Sequence, residues 1–470
     1  MTEEIEPVPW FNDPRFEKPG RREREAAATP SDTPAATSPE TPADTYAAGG
    51  LDLARALDQA DPLRHFRERF NIPTQADGSP VHYFCGNSLG LQPRAARMFV
   101  EQELEDWATL AVDAHFHGRT PWYSYHEVFR EIGARLVGAQ PGEVVMMNSL
   151  TVNLHLMMVS FFRPTTDRFR ILMEAPAFPS DTYAITSHLR ARGLDPADAL
   201  RIIQPREGEH TLRTEDIEAH LEREGDSIAL VLFAGVNFLT GQAMDMPRIT
   251  KAAQARGCLV GFDLAHAAGN LELHLHNWNV DFACWCSYKY LNAGPGAIAG
   301  CFVHEQHGRH GSNPALERFA GWWGNDPDTR FRMHLEPEFI PRPGADGWQL
   351  SNPPILAMAP LRASLALFDE AGMTMLRAKS RHLTGYLEAL LAERMPQHCE
   401  VLTPHDPAAR GCQLSLRLHD RPRERREALQ QRGILCDFRE PDILRIAPVP
   451  LYNTFEDVWT FTDALASLDA

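Results

Sequence analysis

Two side chains in the stretch from Gly261 to Gly300 could do chemistry together. Asp263 closes the apolar run CLVGF (258–262), the pattern of a buried strand. In doubly wound sheets ligands collect at the carboxyl ends of strands. A carboxylate buried there needs a positive partner, because an unpaired buried charge is costly. A protonated ring nitrogen on a ligand would serve. Lys289 follows a second apolar run, FACWC (282–286), with Ser287, Tyr288 and Tyr290 beside it and Gly294, Gly296 and Gly300 after it. Its amine becomes a nucleophile once it sheds its proton, which burial and a neighbouring cation favour. Glycines let backbone come close to a ligand. A loop lysine is usually solvated or structural, and D-x-x-H is common by chance. The specific signal is the conjunction of strand-Asp, strand-Lys and glycine loop. His266, three residues beyond Asp263, could hydrogen-bond that carboxylate or pack against the ring.

Two further segments suit an anion. Ser149-Leu150-Thr151 opens a helical pattern, and a helix start offers free N–H groups and the positive end of the dipole, about half a charge. Ser149 or Thr151 would also serve as a plain cap. Phe178-Pro179-Ser180-Asp181 stands where a strand hands over to a helix. Its aromatic ring could stack on a pyridine, while loop packing plus a Ser or Asp cap accounts for the same residues without a ligand. Taken together, these groups meet the needs of pyridoxal 5'-phosphate. Its aldehyde would be held by Lys289 as a Schiff base. Asp263 would keep its ring nitrogen charged, which strengthens the cofactor as an electron sink.

The elements that must position these residues are legible as periodic runs. RILM (170–173), LRII (200–203), IALVLFA (228–234), CLVGF, FACWC and AIAGCFV (297–303) read as buried strands. Helical patterns near 181–191, 214–224 and 247–256 separate several of them. Near-continuous apolar strands spaced by helices imply a mostly parallel sheet covered on both faces. Upstream, Pro93 fits the first turn of a helix with an apolar stripe at Ala96, Val100, Leu104, Trp107 and Leu110. A second helix carries Val128, Phe129, Ile132 and Leu136, and a third runs from Thr151 through Leu154, Met157 and Met158 to Phe161. From about Pro337 the texture changes to long helices (353–369, 373–394), short strands (412–418, 443–447) and a final helix after Asn453. The fold class is α/β. A large domain is expected over 96–336, and a smaller α/β domain over 51–95 and 337–470. The stretch from Glu23 to Gly50 is rich in Pro, Thr, Ala and acids, so residues 1–50 are expected to form a disordered tail.

Composition narrows the function. The chain has 470 residues and a formal net charge of -17, which repels a phosphate backbone and argues against nucleic-acid binding. The basic run RPRERR (421–426) reads as the solvated face of a helix starting near Pro422. No run approaches the ~20 apolar residues of a membrane span. The acidic, Pro-broken start MTEEIEPVPWFND is unlike a secretory leader, which points to the cytoplasm. Eight cysteines lack paired metal spacing, and Cys284 and Cys286 read as buried reduced thiols on one strand face. His266, His274 and His276 raise a metal hydrolase, but no acidic third ligand follows at helical spacing, and no metal is expected. A non-catalytic regulatory protein finds no DNA-binding segment in its support.

FCGNSLGLQP (84–93), FPSD (178–181), FDLAHAAGN (262–270), DFACWCSYKYLNAGPGAIAG (281–300), SNPPIL (351–356) and RIAPVPLYN (445–453) together resemble kynureninases, from about Leu51 to the C-terminus. The resemblance implies the type I fold of pyridoxal-phosphate enzymes, the aspartate-aminotransferase-like fold. It also implies hydrolysis of L-kynurenine or its 3-hydroxy form to L-alanine and an anthranilate, in tryptophan breakdown. It marks Lys289 as the Schiff-base lysine and Asp263 as the nitrogen partner. Around the cofactor it places Leu150, Thr151, Phe178, Pro179, Ser180, Asp181, Ala234, His266 and Tyr288. Trp322 and Asn352 would join them in a homodimer with shared active sites. Arg445 matches the arginine for the substrate carboxylate; His115, Ser88 and Asn352 match positions beside the rest of the substrate. Lys289 would shuttle the α-proton, and Tyr288 is the candidate proton donor, nearly even with a core tyrosine bonded only to phosphate. One departure is Ala234, where some members carry a hydroxyl; losing one neutral hydrogen bond costs ~1 kcal/mol. The rival within the fold is a cysteine desulfurase, which needs a mobile cysteine in a Gly/Ser-rich loop that is not evident here.

Overall fold

A seven-stranded sheet forms where the apolar runs predict it. The computed structural model describes residues 50–308, 316–336 and 338–468; the expected tail lies outside them except for Gly50, which starts helix α1 (Gly50–Ala60). The strands in chain order are β1 (His82–Tyr83), β2 (Val144–Met146), β3 (Arg170–Glu174), β4 (Leu200–Ile203), β5 (Ile228–Ala234), β6 (Leu259–Asp263), β7 (Phe282–Trp285) and β8 (Gly300–Val303). All but β1 join one sheet in the order β2-β8-β7-β6-β5-β3-β4. Its pairings from β4 to β7 are parallel, and β8 runs antiparallel to both β7 and β2. A parallel return needs a long crossover, whereas the chain re-enters after β7 through the glycine loop without a helix.

Helices cover both faces, so the strands are apolar on both. Val231 and Phe233 of β5 enter one core, while Leu230 and Leu232 enter the other. The helices are α2 (Ala96–Leu110), α3 (Arg130–Val137), α4 (Leu150–Phe161), α5 (Pro179–Ala191), α6 (Thr214–Glu224), α7 (Met246–Ala255), α8 (Ile355–Ala371) and α9 (Met373–Arg394). A φ of 74° at Gly372 separates α8 from α9. A four-stranded antiparallel sheet follows, built from β9 (Cys399–Val401), β10 (Leu414–Leu418), β12 (Asp437–Arg439) and β13 (Ile443–Ile446) in the order β12-β13-β10-β9. It packs with α9 and the last helix, α11 (Phe455–Ala466), through Leu387, Leu390, Leu416, Ile446 and Phe461. β1 pairs with β11 (Ile434–Leu435), and Cys85 bridges to Ala447, which draws the FCGNS segment beside β13.

Three expectations are corrected. Helix α2 begins at Ala96, and Pro93 instead bridges to Phe70. Its apolar stripe faces outward: Leu104 and Trp107 are 43% and 60% exposed, whereas Gln102, Glu103 and Asp106 are buried. Partners far along the chain make that polar face tolerable. Glu103 accepts hydrogen bonds from the Trp122 indole (2.8 Å) and the Tyr125 hydroxyl (3.1 Å), and Asp106 accepts from the Arg119 amide (2.8 Å). The helix expected around Val128 is a 3-10 turn over Trp122–Phe129 leading into α3, with Val128 exposed. The basic run does start a helix, α10 (Pro422–Gln431), but Arg425 is buried within it. Cys284 and Cys286 are buried free thiols. No described helix is long and apolar enough to cross a membrane.

Candidate active site

Strand ends and helix starts converge on one cavity of about 250 Å³. Ala234 ends β5, Asp263 ends β6, and Lys289 follows β7; all three line it. Phe178, Ser180 and Asp181 enter from the β3–α5 junction, and Leu150 and Thr151 from the first turn of α4. Ser149 caps α4 in an extended conformation without spending its side chain on the helix, so the first N–H groups stay available to an anion. The Thr151 and Ser180 hydroxyls, from two different helix starts, lie 3.2 Å apart. Pro179 is the first residue of α5, where its fixed φ suits the turn, and is not part of the cavity wall.

Lys289 is 9% exposed, and its Nζ lies 3.0 Å from His266 Nε2 and 5.7 Å from the Phe178 ring centre. His266 therefore addresses the lysine rather than Asp263. The Asp263 Oδ1 is already engaged, accepting the Ala265 N–H at 2.7 Å. Burial, and then the Lys289 charge, push the His266 imidazole well below its usual range, so it stays neutral and can accept from the ammonium. Its buried Nδ1 finds no partner among the described residues.

The cavity floor is strongly acidic. Burial and the adjoining Asp263 push Asp181 well above the usual carboxylate range. Glu174, the last residue of β3, accepts the Ala234 N–H at 3.2 Å and is pushed up to about 7, first by burial and also by Asp263. Asp181 and Asp263 thus line the cavity, where Lys289 is the cation acting on Asp181, and Glu174 adds a third buried carboxyl that interacts with Asp263. Glu174 is missing from the sequence reading, which ended its strand at Met173. The same signal that marked Asp263, an acid closing an apolar strand, could have found it. Val236, Phe238 and Ala265 also line the cavity without having been singled out.

Tyr288 lines the cavity next to Lys289, and burial pushes its hydroxyl up, keeping the proton on. Arg445, on β13, lies one layer behind. Its Nη1 donates to the Phe238 carbonyl at 2.6 Å, and the Phe238 ring meets Phe178 edge-on at 5.3 Å. Its Nη2 reaches Ser88 Oγ at 3.3 Å and forms an ion pair with Asp437. Burial lowers this guanidinium to about 10. His115 and Asn352 share a different groove with Trp107 and Trp122. Trp322 packs edge-on against Trp323 and is 36% exposed. Within one chain these three stand apart from the cavity. His274 packs on Trp278, and His276 Nδ1 donates to the Glu143 carboxylate at 2.9 Å while its ring stacks on His304, so neither joins His266.

A kynureninase of Myxococcus xanthus is 59% identical over 414 residues, covering 88% of this chain and 96% of that one. The chain belongs to the kynureninase family. A second member, from Koribacter versatilis, is 58% identical over 410 residues, covering 87% of this chain and 96% of its own length. The family described as Kynureninase C-terminal domain matches residues 376–465, and Aminotransferase class-V matches residues 90–307, the region that builds the cavity. Among solved structures, a cysteine desulfurase from Thermococcus onnurineus superposes with a TM-score of 0.66 at 17% identity, covering 83% of this chain and 94% of that one. One from Escherichia coli gives 0.67 at 17% identity, covering 87% and 97%. That likeness carries the α/β fold alone. Among the described residues no cysteine lines the cavity.

Proposed function

We propose that the protein is a pyridoxal-phosphate-dependent hydrolase of the kynureninase type. It cleaves L-kynurenine, or its 3-hydroxy form, with water to L-alanine and the corresponding anthranilate. The observation that carries the reading is the charge arrangement of the cavity: buried Lys289 shares the wall with Asp263 and Asp181, and the buried Glu174 carboxyl interacts with Asp263. Three crowded carboxyls call for a cation, and a protonated pyridine ring held by Lys289 and Asp263 would supply one. The helix starts at Thr151 and Ser180 suit its phosphate. The residues present therefore fit this cofactor.

When bound, the cofactor serves as the sink for electrons left on the amino-acid portion. The chain does the rest. Lys289 would hold the cofactor through Nζ, and the same atom would take and return the substrate's α-proton. His266, held neutral, can accept from that Nζ and so fixes its position. Tyr288 keeps its proton because it is buried, and would be the residue that donates a proton to the amino-acid portion. Arg445 takes the substrate carboxylate, with Ser88 beside it. His115 and Asn352 meet the aromatic end, and Trp322 and Asn352 reach the site from a second copy of the chain. The outward apolar face of α2 and the groove of about 1250 Å³ beside it, which runs to the glycine loop, support a homodimer. The lobe formed by residues 51–95 and 337–470 presents Arg445 to the large domain over 96–336, and the enzyme works in the cytoplasm.

The test is direct. Purified holoenzyme given L-kynurenine should release fluorescent anthranilate and L-alanine, and Lys289→Ala should stop both. Sulfide from L-cysteine without any anthranilate would overturn the proposal.

A further inference from the structure

Asp437 is bound into the substrate-carboxylate site more tightly than a passive neighbour. It stands directly opposite Arg445 across the β12–β13 pair. Its carboxylate is paired with Arg445, accepts the Ser88 hydroxyl at 2.8 Å and accepts Arg439 Nη2 at 3.1 Å. Arg445 is 1% exposed, and its Nη1 is taken by the Phe238 carbonyl. Two buried atoms, the Nε of Arg445 and the Nε of Arg439, have no partner among the described residues.

The charge count follows. Two guanidiniums and one resident carboxylate leave a single positive charge, with the two buried Nε–H groups among the donors still unpaired. An amino-acid carboxylate brings one negative charge and two acceptor oxygens. Without Asp437 the cluster would hold two unmatched cations, and any carboxylate, including those of both products, would be gripped harder.

We infer that Asp437 is a positioning and specificity residue: a resident counter-ion that matches the Arg445–Arg439 cluster to one carboxylate and moderates its grip so that product can leave. The inference rests on the reading of Arg445 as the carboxylate clamp. A residue that merely props Arg445 in place predicts the opposite sign, because its loss would let the arginine wander and weaken binding.

The experiment compares wild-type, Asp437→Asn and Arg439→Gln holoenzymes, with L-alanine as the probe. Its dissociation constant is read from the visible absorbance of the bound cofactor, and KM for L-kynurenine is measured in parallel. Asn keeps the shape and can still accept from Ser88. The expected result is L-alanine binding about tenfold tighter in Asp437→Asn, with a lower KM, and several-fold weaker in Arg439→Gln, as removal or addition of one nearby unit charge requires. Unchanged or weaker binding in Asp437→Asn overturns the inference. If that variant does not accumulate, an unchanged constant in Arg439→Gln overturns it alone, as does failure of the wild type to bind L-alanine. The titration needs no turnover. A wild type that binds L-alanine but releases no anthranilate would sink the proposed reaction and leave this comparison standing.

Discussion

Replacing Glu174 by Gln should make the cofactor-free protein more stable at pH 8 than the wild type, by an amount that grows with pH. The carboxyl is fully buried at the end of β3, and burial with the neighbouring Asp263 raises it from 4.5 to about 7. The unfolded chain gives up this proton near 4.5, while the folded chain keeps it to about 7. Between those values the folded form holds more protons, so its stability falls as pH rises. At 1.36 kcal/mol per pH unit the full loss is about 3 kcal/mol. Gln keeps an acceptor for the Ala234 N–H and cannot ionise, so it escapes the loss. At about 2.1 cal/mol/K of unfolding entropy per residue, a chain of 470 residues has roughly 1 kcal/mol/K, and the difference becomes about 3 °C. Scanning calorimetry of both cofactor-free proteins at pH 5 and pH 8, at one scan rate, reads it. The variant should gain about 3 °C on the wild type between the two. Restoring the cofactor should shrink the gain, because the ring cation offsets the same charge. A gap between variant and wild type that stays constant with pH would refute the argument, since Glu174 would then ionise as it does in water.

Two further outcomes follow from the geometry. Arg445→Lys keeps the charge but loses the planar fork, and should raise KM for L-kynurenine about ten- to a hundredfold while the cofactor stays bound; bleaching of the bound cofactor instead would place Arg445 at the cofactor. Trp107→Asp puts a charge on the outward apolar face of α2, where the indole is 60% exposed. Sedimentation should then show monomer, with loss of activity, and an unchanged dimer would assign the contact to another face.

The large sheet was legible because its strands are buried on both faces, so a run such as IALVLFA needs no decision about which side faces in. Helix α2 shows the opposite case. Its period was visible, but the inward side was not, because the groups that satisfy Glu103 lie at Trp122 and Tyr125, beyond any local window. Strands of two or three residues, such as β1, β9 and β12, are too short to show a period at all.

The site follows the same logic. Asp263 and Lys289 stood out because each follows an apolar strand, and the cavity gathers at those strand ends. Glu174 has the same placement and was passed over only because its strand was cut at the last apolar residue. Its partner is Ala234, on the adjoining strand, so its role depends on strand order, which no local pattern contains. Asp437 needs still more: its opposition to Arg445 requires the register of an antiparallel pair, and its contact with Ser88 requires β1 to lie beside β11. Residues that act alone on a ligand can thus be found from the chain, whereas those that set the charge of their neighbours are found once the strands are laid side by side.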